Sequence, residues 1–177
     1  AFLAAEAAPP TVNPSLWRQA RLNLANGLFQ VTDRIYQIRG FDISNMTLIE
    51  GETGVIVVDP LISTETARAG LELYAQHRGR RPVTAVIYSH SHTDHYGGVR
   101  GGVDEADVRA GRVPVIAPVG FMEEVVSEAV LAGTPMIRRA QFQFGATLPK
   151  GPRGQVDAGL GKGISRGTVT LIPPTVT

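Results

Sequence analysis

The chain has 177 residues, of which 43% are apolar and 19% charged, and its net charge is only +1 at pH 7. This length is typical of a single domain. The basic residues are scattered, and their densest group, at Arg78, Arg80 and Arg81, has no aromatic platform around it, which argues against a nucleic-acid partner. No apolar run approaches the ~20 residues of a transmembrane helix. The chain has no cysteine, so thiolate metal ligands are excluded.

Residues 1–12 are predicted to form a flexible N-terminal tail. The segment Ala1–Pro10 is rich in alanine, and its small residues are spaced like the end of a signal peptide, although no basic region precedes them. This pattern favours a remnant of an export signal and therefore a periplasmic or secreted protein. A loose terminus on a cytoplasmic protein is the alternative.

The next part of the chain is predicted to be rich in β-structure. Ser15 is expected to cap a short helix that ends near Gly27. Strand-forming residues then alternate with turn residues. The predicted elements are a helix over Leu16–Ala25, strands within Phe29–Ile38 around a turn at Thr32-Asp33, and a hairpin of Ile43–Glu50 with Val55–Asp59.

From Ser63 the apolar period becomes helical, and this helix is expected to end at Gly79. Helices and strands alternate after it, which indicates an α/β layer with largely parallel strands. The predicted elements are a strand over Val83–Tyr88, a helix over Asp104–Ala110, a strand over Val113–Ala117, a helix over Phe121–Ala132 closed by Gly133, a helix over Pro135–Phe144 and a strand over Thr168–Ile172.

Two features of the second half are unusual. The helical spacing of Met136, Ile137, Ala140 and Phe144 predicts a buried face, and a face directed toward substrate is the alternative. Residues 145–167 contain seven glycines and little periodicity. A stretch of this length without elements indicates a functional loop, such as a lid or an arm that wraps a partner.

The residues with the clearest chemistry are His90-Ser-His-Thr-Asp-His95, which contain three of the four histidines of the chain. In extended backbone His90 and His92 point the same way and can bind one ion as a pair. Asp94 and His95 need a turn before they converge, and Gly97-Gly98 is expected to allow it through tight or left-handed backbone. Imidazole with carboxylate suits zinc first, and also iron or manganese.

The number of metal ions remains open from the residues alone. One tetrahedral ion can use three of His90, His92, Asp94 and His95 and keep a position for water, or two ions can take two ligands each. Three imidazoles this close repel one another when protonated, so they make a poor structural element without a cation. The fourth histidine, His77, is interpreted as an ordinary polar residue near a helix C-terminus.

The cluster does not supply enough ligands for two ions. No histidine follows His95, and the downstream carboxylates are expected to be exposed to solvent, because this is where Asp and Glu normally lie. We therefore expect the remaining ligands beyond Thr177, in the remainder of the same protein. The carboxylates concerned are Asp104, Glu105, Asp107, Glu123, Glu124, Glu128 and Asp157.

The motif His90–His95, followed by Tyr96-Gly97-Gly98, resembles the His-x-His-x-Asp-His signature of the metallo-β-lactamase superfamily. The strand Gly54-Val-Ile-Val-Val-Asp-Pro60 resembles the strand of that superfamily that ends in aspartate. Three further stretches, residues 27–47, 100–111 and 151–161, resemble the linear alkylsulfatases, the type that hydrolyses dodecyl sulfate. The resemblance covers residues 13–177.

This resemblance implies an α/β fold, with residues 13–177 forming the N-terminal half of an αββα sandwich and carrying the glycine-rich loop 145–167. It implies an enzyme with two zinc ions that hydrolyses alkyl sulfate esters through a metal-bound water, and that is commonly an exported homodimer. His90 and His92 would bind one zinc, Asp94 and His95 the other. Asp94 would also orient the water, and Asp59 would orient the ligands from outside the metal sphere.

Two alternatives remain beside this interpretation. Other hydrolases with the same motif act on lactones, thioesters or phosphodiesters. The segment can also be an inactive half-domain that binds metal weakly, because its ligands lack their partners, and that exposes an unpaired sheet edge.

Overall fold

A mixed six-stranded sheet organises the computed structural model, which describes residues 2–161 and 163–177. The strands follow one another across the sheet in chain order. The first four pair antiparallel, whereas β4, β5 and β6 pair parallel. They are β1 Gly27–Thr32, β2 Ile35–Arg39, β3 Met46–Glu50, β4 Val55–Val58, β5 Val83–Ile87 and β6 Val115–Ile116.

The helices pack around this sheet and connect its parallel strands. The longest, α2, joins β4 to β5, as a crossover between parallel strands requires. The α-helices are α1 Pro14–Leu22, α2 Thr64–Arg78, α3 Glu105–Arg109, α4 Phe121–Val126 and α5 Gly133–Gln143. A π-helical turn covers Ser127–Leu131, and single 3-10 turns cover Phe2–Ala4, Thr93–His95 and Val99–Gly101.

Several sequence predictions are confirmed. The hairpin of β3 and β4 forms in antiparallel register, and β5 lies where the strand before the histidine cluster was predicted. The Ser63 side chain caps α2 by accepting a hydrogen bond from the amide of Thr66, and the helix ends at Gly79, whose φ is 82°. The α/β expectation is therefore correct for the part of the sheet that follows β4.

The expected cap of the first helix is wrong. Asn13, and not Ser15, caps α1, because its side chain accepts a hydrogen bond from the amide of Ser15. Pro14 occupies the first helical position, where its missing N–H is no loss. The helix accordingly begins earlier than predicted and ends at Leu22, before the predicted end at Ala25.

The prediction for residues 121–144 is also corrected. Gly133 begins α5 and does not close the preceding helix, which ends at Val126 and continues as the π-helical turn. The predicted buried face of α5 lies on the surface: Met136 is 43% exposed and Ile137 65% exposed. The spacing identifies an apolar face correctly, but spacing alone does not say what covers it.

Two predicted strands near the end of the chain differ as well. β6 has only two residues, because Pro114 and Pro118 flank it and proline cannot donate a hydrogen bond to a neighbouring strand. Residues 168–172 form no strand. They are held by single backbone hydrogen bonds, from Thr64 to the Thr168 carbonyl and from Thr170 to the Gly97 carbonyl, while Ile172 is buried in the core.

Two apolar clusters hold the chain together. The larger one lies between the sheet and its helices and includes Leu48, Val57, Tyr74, Val86 and Val115. The smaller one packs Leu3, Val12, Trp17, Ala20 and Val156 together, so the start of the chain contacts the glycine-rich loop. Among the described residues, no helix is long and apolar enough to cross a membrane.

Candidate metal centre

The histidine cluster lies where two parallel strands end side by side. β4 and β5 pair parallel, so Asp59, directly after β4, and Ser89, shortly after β5, meet at the same edge of the sheet. Ligands commonly bind at this edge in α/β sheets. Asp59 has a left-handed backbone, with φ 54°, which is unusual outside glycine. We call residues 89–98 the ligand loop.

The ligand loop brings its three histidines together. His92 is extended, and the 3-10 turn Thr93–His95 then reverses the chain. The ring centres of His90 and His92 are 4.6 Å apart, and those of His90 and His95 are 4.0 Å apart. The Nε2 atom of His95 lies 3.2 Å from Oδ2 of Asp94. Three imidazoles and one carboxylate therefore gather within a few ångströms, at the surface.

Gly97 and Gly98 serve a purpose that the sequence prediction missed. Of the two expected alternatives, they lie in a tight turn and do not have left-handed backbone; φ of Gly98 is −89°. A Cβ atom at Gly97 would lie 2.3 Å from the carbonyl oxygen of Ile62, and one at Gly98 would lie 2.2 Å from that of Pro60. The two glycines therefore allow the ligand loop to pack directly against the backbone that follows β4.

Asp59 connects two of the histidines. Its carboxylate accepts hydrogen bonds from the amide and hydroxyl of Ser89, at 2.8 and 2.7 Å, and its Oδ2 atom lies 2.9 Å from Nδ1 of His95. The Ser89 hydroxyl gives its single proton to Asp59, so Nδ1 of His90, 2.9 Å away, must donate to that hydroxyl. Both rings then carry a proton on Nδ1. In His90 this leaves Nε2 as the free ligand atom.

The surroundings of the ligand loop shift the pKa values of His90 and His95 in opposite directions. Burial lowers the pKa of His90, and the neighbouring His95 and His92 lower it further, so this ring stays neutral. Burial also opposes charge on His95, but hydrogen bonds to Asp59 and Asp94 outweigh it and raise its pKa to about 9. For Asp94 burial favours the neutral acid, yet the hydrogen bond to His95 and its charge lower the pKa overall. A metal ion at Nε2 of His95 therefore has to replace a proton.

Glu128 is a neighbour of the cluster that the sequence analysis assigned to solvent. Its Oε1 atom lies 2.9 Å from Nε2 of His92, and its side chain is only 26% exposed. It belongs to the π-helical turn after α4, a type of turn often found at functional sites. The irregular turn sets its direction, so no regular spacing in the sequence indicates the contact.

The donor chemistry fits zinc, but the described residues do not supply a complete ligand set. Among residues 2–161 and 163–177, no group of three or more histidine, aspartate or glutamate side chains has the geometry to hold one ion. The four predicted ligands form one cluster in which the ring centre of His90 is 4.6 Å from that of His92 and 4.0 Å from that of His95, and His95 contacts Asp94. A zinc ion normally takes four ligands, of which a catalytic site supplies three from protein.

Comparisons with known proteins connect this arrangement to one family. The Metallo-beta-lactamase superfamily model matches residues 39–177. The chain is 62% identical over 170 residues to a linear primary-alkylsulfatase of Pseudomonas sp, and 60% identical over 175 residues to an alkyl/aryl-sulfatase of Saccharomyces cerevisiae. These alignments cover 96% and 99% of the chain but only 25% and 27% of the relatives.

A solved structure supports the same relationship. The stereoselective inverting sec-alkylsulfatase from Pseudomonas sp. superposes with a TM-score of 0.92 at 54% identity, over 99% of this chain and 28% of that protein. The chain thus spans about a quarter of the length of the relatives that it matches. The match to the family model over most of its residues shows that the chain belongs to the metallo-β-lactamase superfamily.

Proposed function

We propose that the protein carrying this chain hydrolyses alkyl sulfate esters to an alcohol and sulfate, with two zinc ions bound partly by the ligand loop. The observation that carries this proposal is the identity of 56–62% to three alkylsulfatases across nearly the whole chain. Two of these relatives are named for linear primary and (R)-specific secondary alkyl sulfates. Sulfate esters are therefore favoured over lactones, thioesters and phosphodiesters.

The four ligands of the loop would divide between the two ions as the family resemblance implies. His90 and His92 would hold one zinc, and Asp94 and His95 the other, with further ligands from elsewhere in the whole protein. Zinc, when bound, supplies an acidified water and positive charge close to the sulfate group. The carboxylate of Asp94 would accept a hydrogen bond from the attacking water and direct it.

Asp59 would set the ring positions without touching substrate or metal. Its contacts to Ser89 and His95 keep a proton on Nδ1 of both His90 and His95. Carboxylates that orient metal-binding histidines in this way also make the rings better ligands. The left-handed backbone at Asp59 supports this proposal, since strained residues concentrate at functional sites.

The surface beside Glu128 supports an apolar substrate or partner. Val126 is 48% exposed, Val130 72% and Leu131 76%, all close in sequence to the glutamate that contacts His92. Single exposed apolar residues are ordinary, but three within six residues are typical of a surface that binds a ligand or a partner. An alkyl chain and the remainder of the protein are both suited to it. We include a homodimer and export from the cytoplasm in the proposal, because the family resemblance implies them.

The test is sulfate release from dodecyl sulfate by the full-length protein, before and after complete removal of metal with a chelator. We expect activity to disappear with the metal and to return when about two zinc ions per chain are added back. Activity that survives complete removal of zinc would refute the proposed mechanism. A panel with a lactone, a thioester and a phosphodiester tests the substrate class, and a strong preference for any of them would refute it.

A further inference from the structure

The loop between β2 and β3 contains a buried carboxylate that the proposed function does not use. Asp42 is 4% exposed. Its Oδ1 atom accepts hydrogen bonds from the amides of Ile43 and Ser165, at 2.8 and 3.1 Å. Its Oδ2 atom accepts from the amide of Ile62 at 3.1 Å and from the hydroxyl of Ser165 at 2.7 Å. Neutral donors from three separate parts of the chain thus surround this carboxylate.

Through these donors Asp42 connects the segment after β4 with the end of the glycine-rich loop. Ile62 follows β4, on the backbone against which the ligand loop packs through its glycines. Ser165 belongs to the end of the glycine-rich loop. A few residues later, the amide and hydroxyl of Thr170 both donate to the carbonyl of Gly97, at 2.7 and 2.9 Å. Asp42 therefore fastens the two segments that border the ligand loop.

Ser44, two residues from Asp42, contacts the ligand loop directly. It is 6% exposed, and its hydroxyl donates to the backbone carbonyl of Asp94. This carbonyl belongs to a residue of the tight 3-10 turn that points the Asp94 side chain toward His95. A shift of the Asp94 peptide would move its carboxylate relative to His95, while His90 and His92 lie before the turn.

We propose that Ser44 is a positioning residue for the Asp94–His95 half of the metal centre, and that Asp42 holds the loop from which Ser44 acts. Ser44 fixes the peptide of Asp94 and thereby the direction of its carboxylate. This inference rests on the proposed function, because it assumes that Asp94 binds a metal ion. Residues outside the metal sphere commonly change metal affinity 10–100-fold.

The experiment measures the two zinc-binding steps of the full-length protein by competition with a chromophoric chelator. In Ser44→Ala, the step that involves Asp94 and His95 should weaken about tenfold, while the other step stays unchanged. Ser15→Ala is the matched control, because Ser15 is exposed on α1 and its side chain is far in sequence from the loop. A global loss of stability would instead weaken both steps and lower the melting temperature of the metal-free protein.

A second variant tests the same inference if Ser44→Ala fails to fold. Ser165→Ala removes the hydroxyl donor to Asp42 but keeps the amide donor, so a smaller loss in the same step is expected. Unchanged zinc affinity in both variants, or equal weakening of both steps, would overturn the inference. Failure of the unaltered protein to bind zinc would instead refute the proposed function, which keeps the two failures distinct.

Discussion

Two polar clusters lie at opposite ends of β4, and they differ in how their charges are satisfied. The first, at the start of the strand, consists of Glu50, Tyr74 and Arg78. The second, at the end of the strand, consists of Asp59 and the ligand loop. Glu50 pairs in register with Val55, the first residue of β4, whereas Asp59 follows Val58, the last.

The Glu50 cluster is closed. Tyr74 donates to Glu50 at 2.7 Å, and Arg78 donates to both of its carboxylate oxygens, at 3.0 and 3.2 Å. The guanidinium of Arg78 also lies 4.9 Å from the ring centre of Tyr36. The hydrogen bond from Arg78, assisted by Tyr74 and opposed by burial, lowers the pKa of Glu50 to about 2. The carboxylate, the hydroxyl and the guanidinium therefore each have a hydrogen-bond partner within the cluster.

The cluster at the ligand loop is open. His90 faces two other imidazoles, and His92 is 54% exposed with Glu128 as its acidic neighbour. Both clusters are polar and both lie near the same strand, so polarity alone does not distinguish a site from a structural ion pair. The useful difference is the arrangement of charge, because the Glu50 carboxylate is paired with a guanidinium, whereas the ligand loop places three imidazoles side by side. A closed cluster stabilises the fold, and an open one can accept a cation.

Of the changes considered, removal of a predicted metal ligand should reduce activity the most. His92→Ala in the full-length protein should lower kcat/KM for dodecyl sulfate more than about 100-fold, since loss of an outer partner alone commonly reduces activity 10–100-fold. Its melting temperature should change little, because the side chain is more than half exposed. The control is His77→Ala, an exposed residue in the last turn of α2, which should keep full activity. Full activity in His92→Ala would contradict the distinction between the two clusters.

Loss of the carboxylate in the closed cluster should affect stability and leave zinc binding intact. Glu50→Gln should reduce the free energy of unfolding at pH 7 by about 2 kcal/mol, because the buried carboxylate loses its charge-assisted hydrogen bonds from Tyr74 and from the half-exposed Arg78. Denaturant unfolding measures this, with the exposed Glu52→Gln as control. If zinc content fell together with stability, the two clusters would not be independent.

The stability that Glu50 contributes should also depend on pH. The pKa of Glu50 falls from 4.5 to about 2 on folding, so its contribution is complete above pH 4.5 and is lost as the pH falls toward 2. The difference in unfolding free energy between the native protein and Glu50→Gln should therefore shrink between pH 5 and pH 2. Unfolding curves at several pH values measure it, and a constant difference would show that the ion pair does not carry the effect.

Most of the fold could be predicted from the sequence wherever local signals and burial agree. The hairpin of β3 and β4 and the helix from Ser63 to Gly79 have turn or cap residues that match the observed backbone. The predictions that were wrong concern the ends of helices and the neighbours of an apolar helix face. Asn13 replaces Ser15 as a cap, and the apolar face of α5 lies on the surface, because periodicity does not identify the covering partner.

The site also could be predicted only where a local sequence pattern indicates it. The spacing of His90, His92, Asp94 and His95 predicts a cluster, and the structure brings their side chains together. The contacts of Ser44 and Glu128 depend on how distant loops and an irregular turn pack, so no local pattern indicates them. The assignment of the two loop pairs His90 with His92 and Asp94 with His95 as metal ligands, and the role of Asp59, stay predictions.

The most direct test is a crystal structure of the full-length protein with diffraction data at the zinc absorption edge. We expect two anomalous peaks per chain, one about 2.0–2.1 Å from nitrogen atoms of His90 and His92 and one at similar distances from His95 and Asp94. Zinc bound elsewhere, with the ligand loop free of metal, would contradict the proposal that this loop forms half of the metal centre.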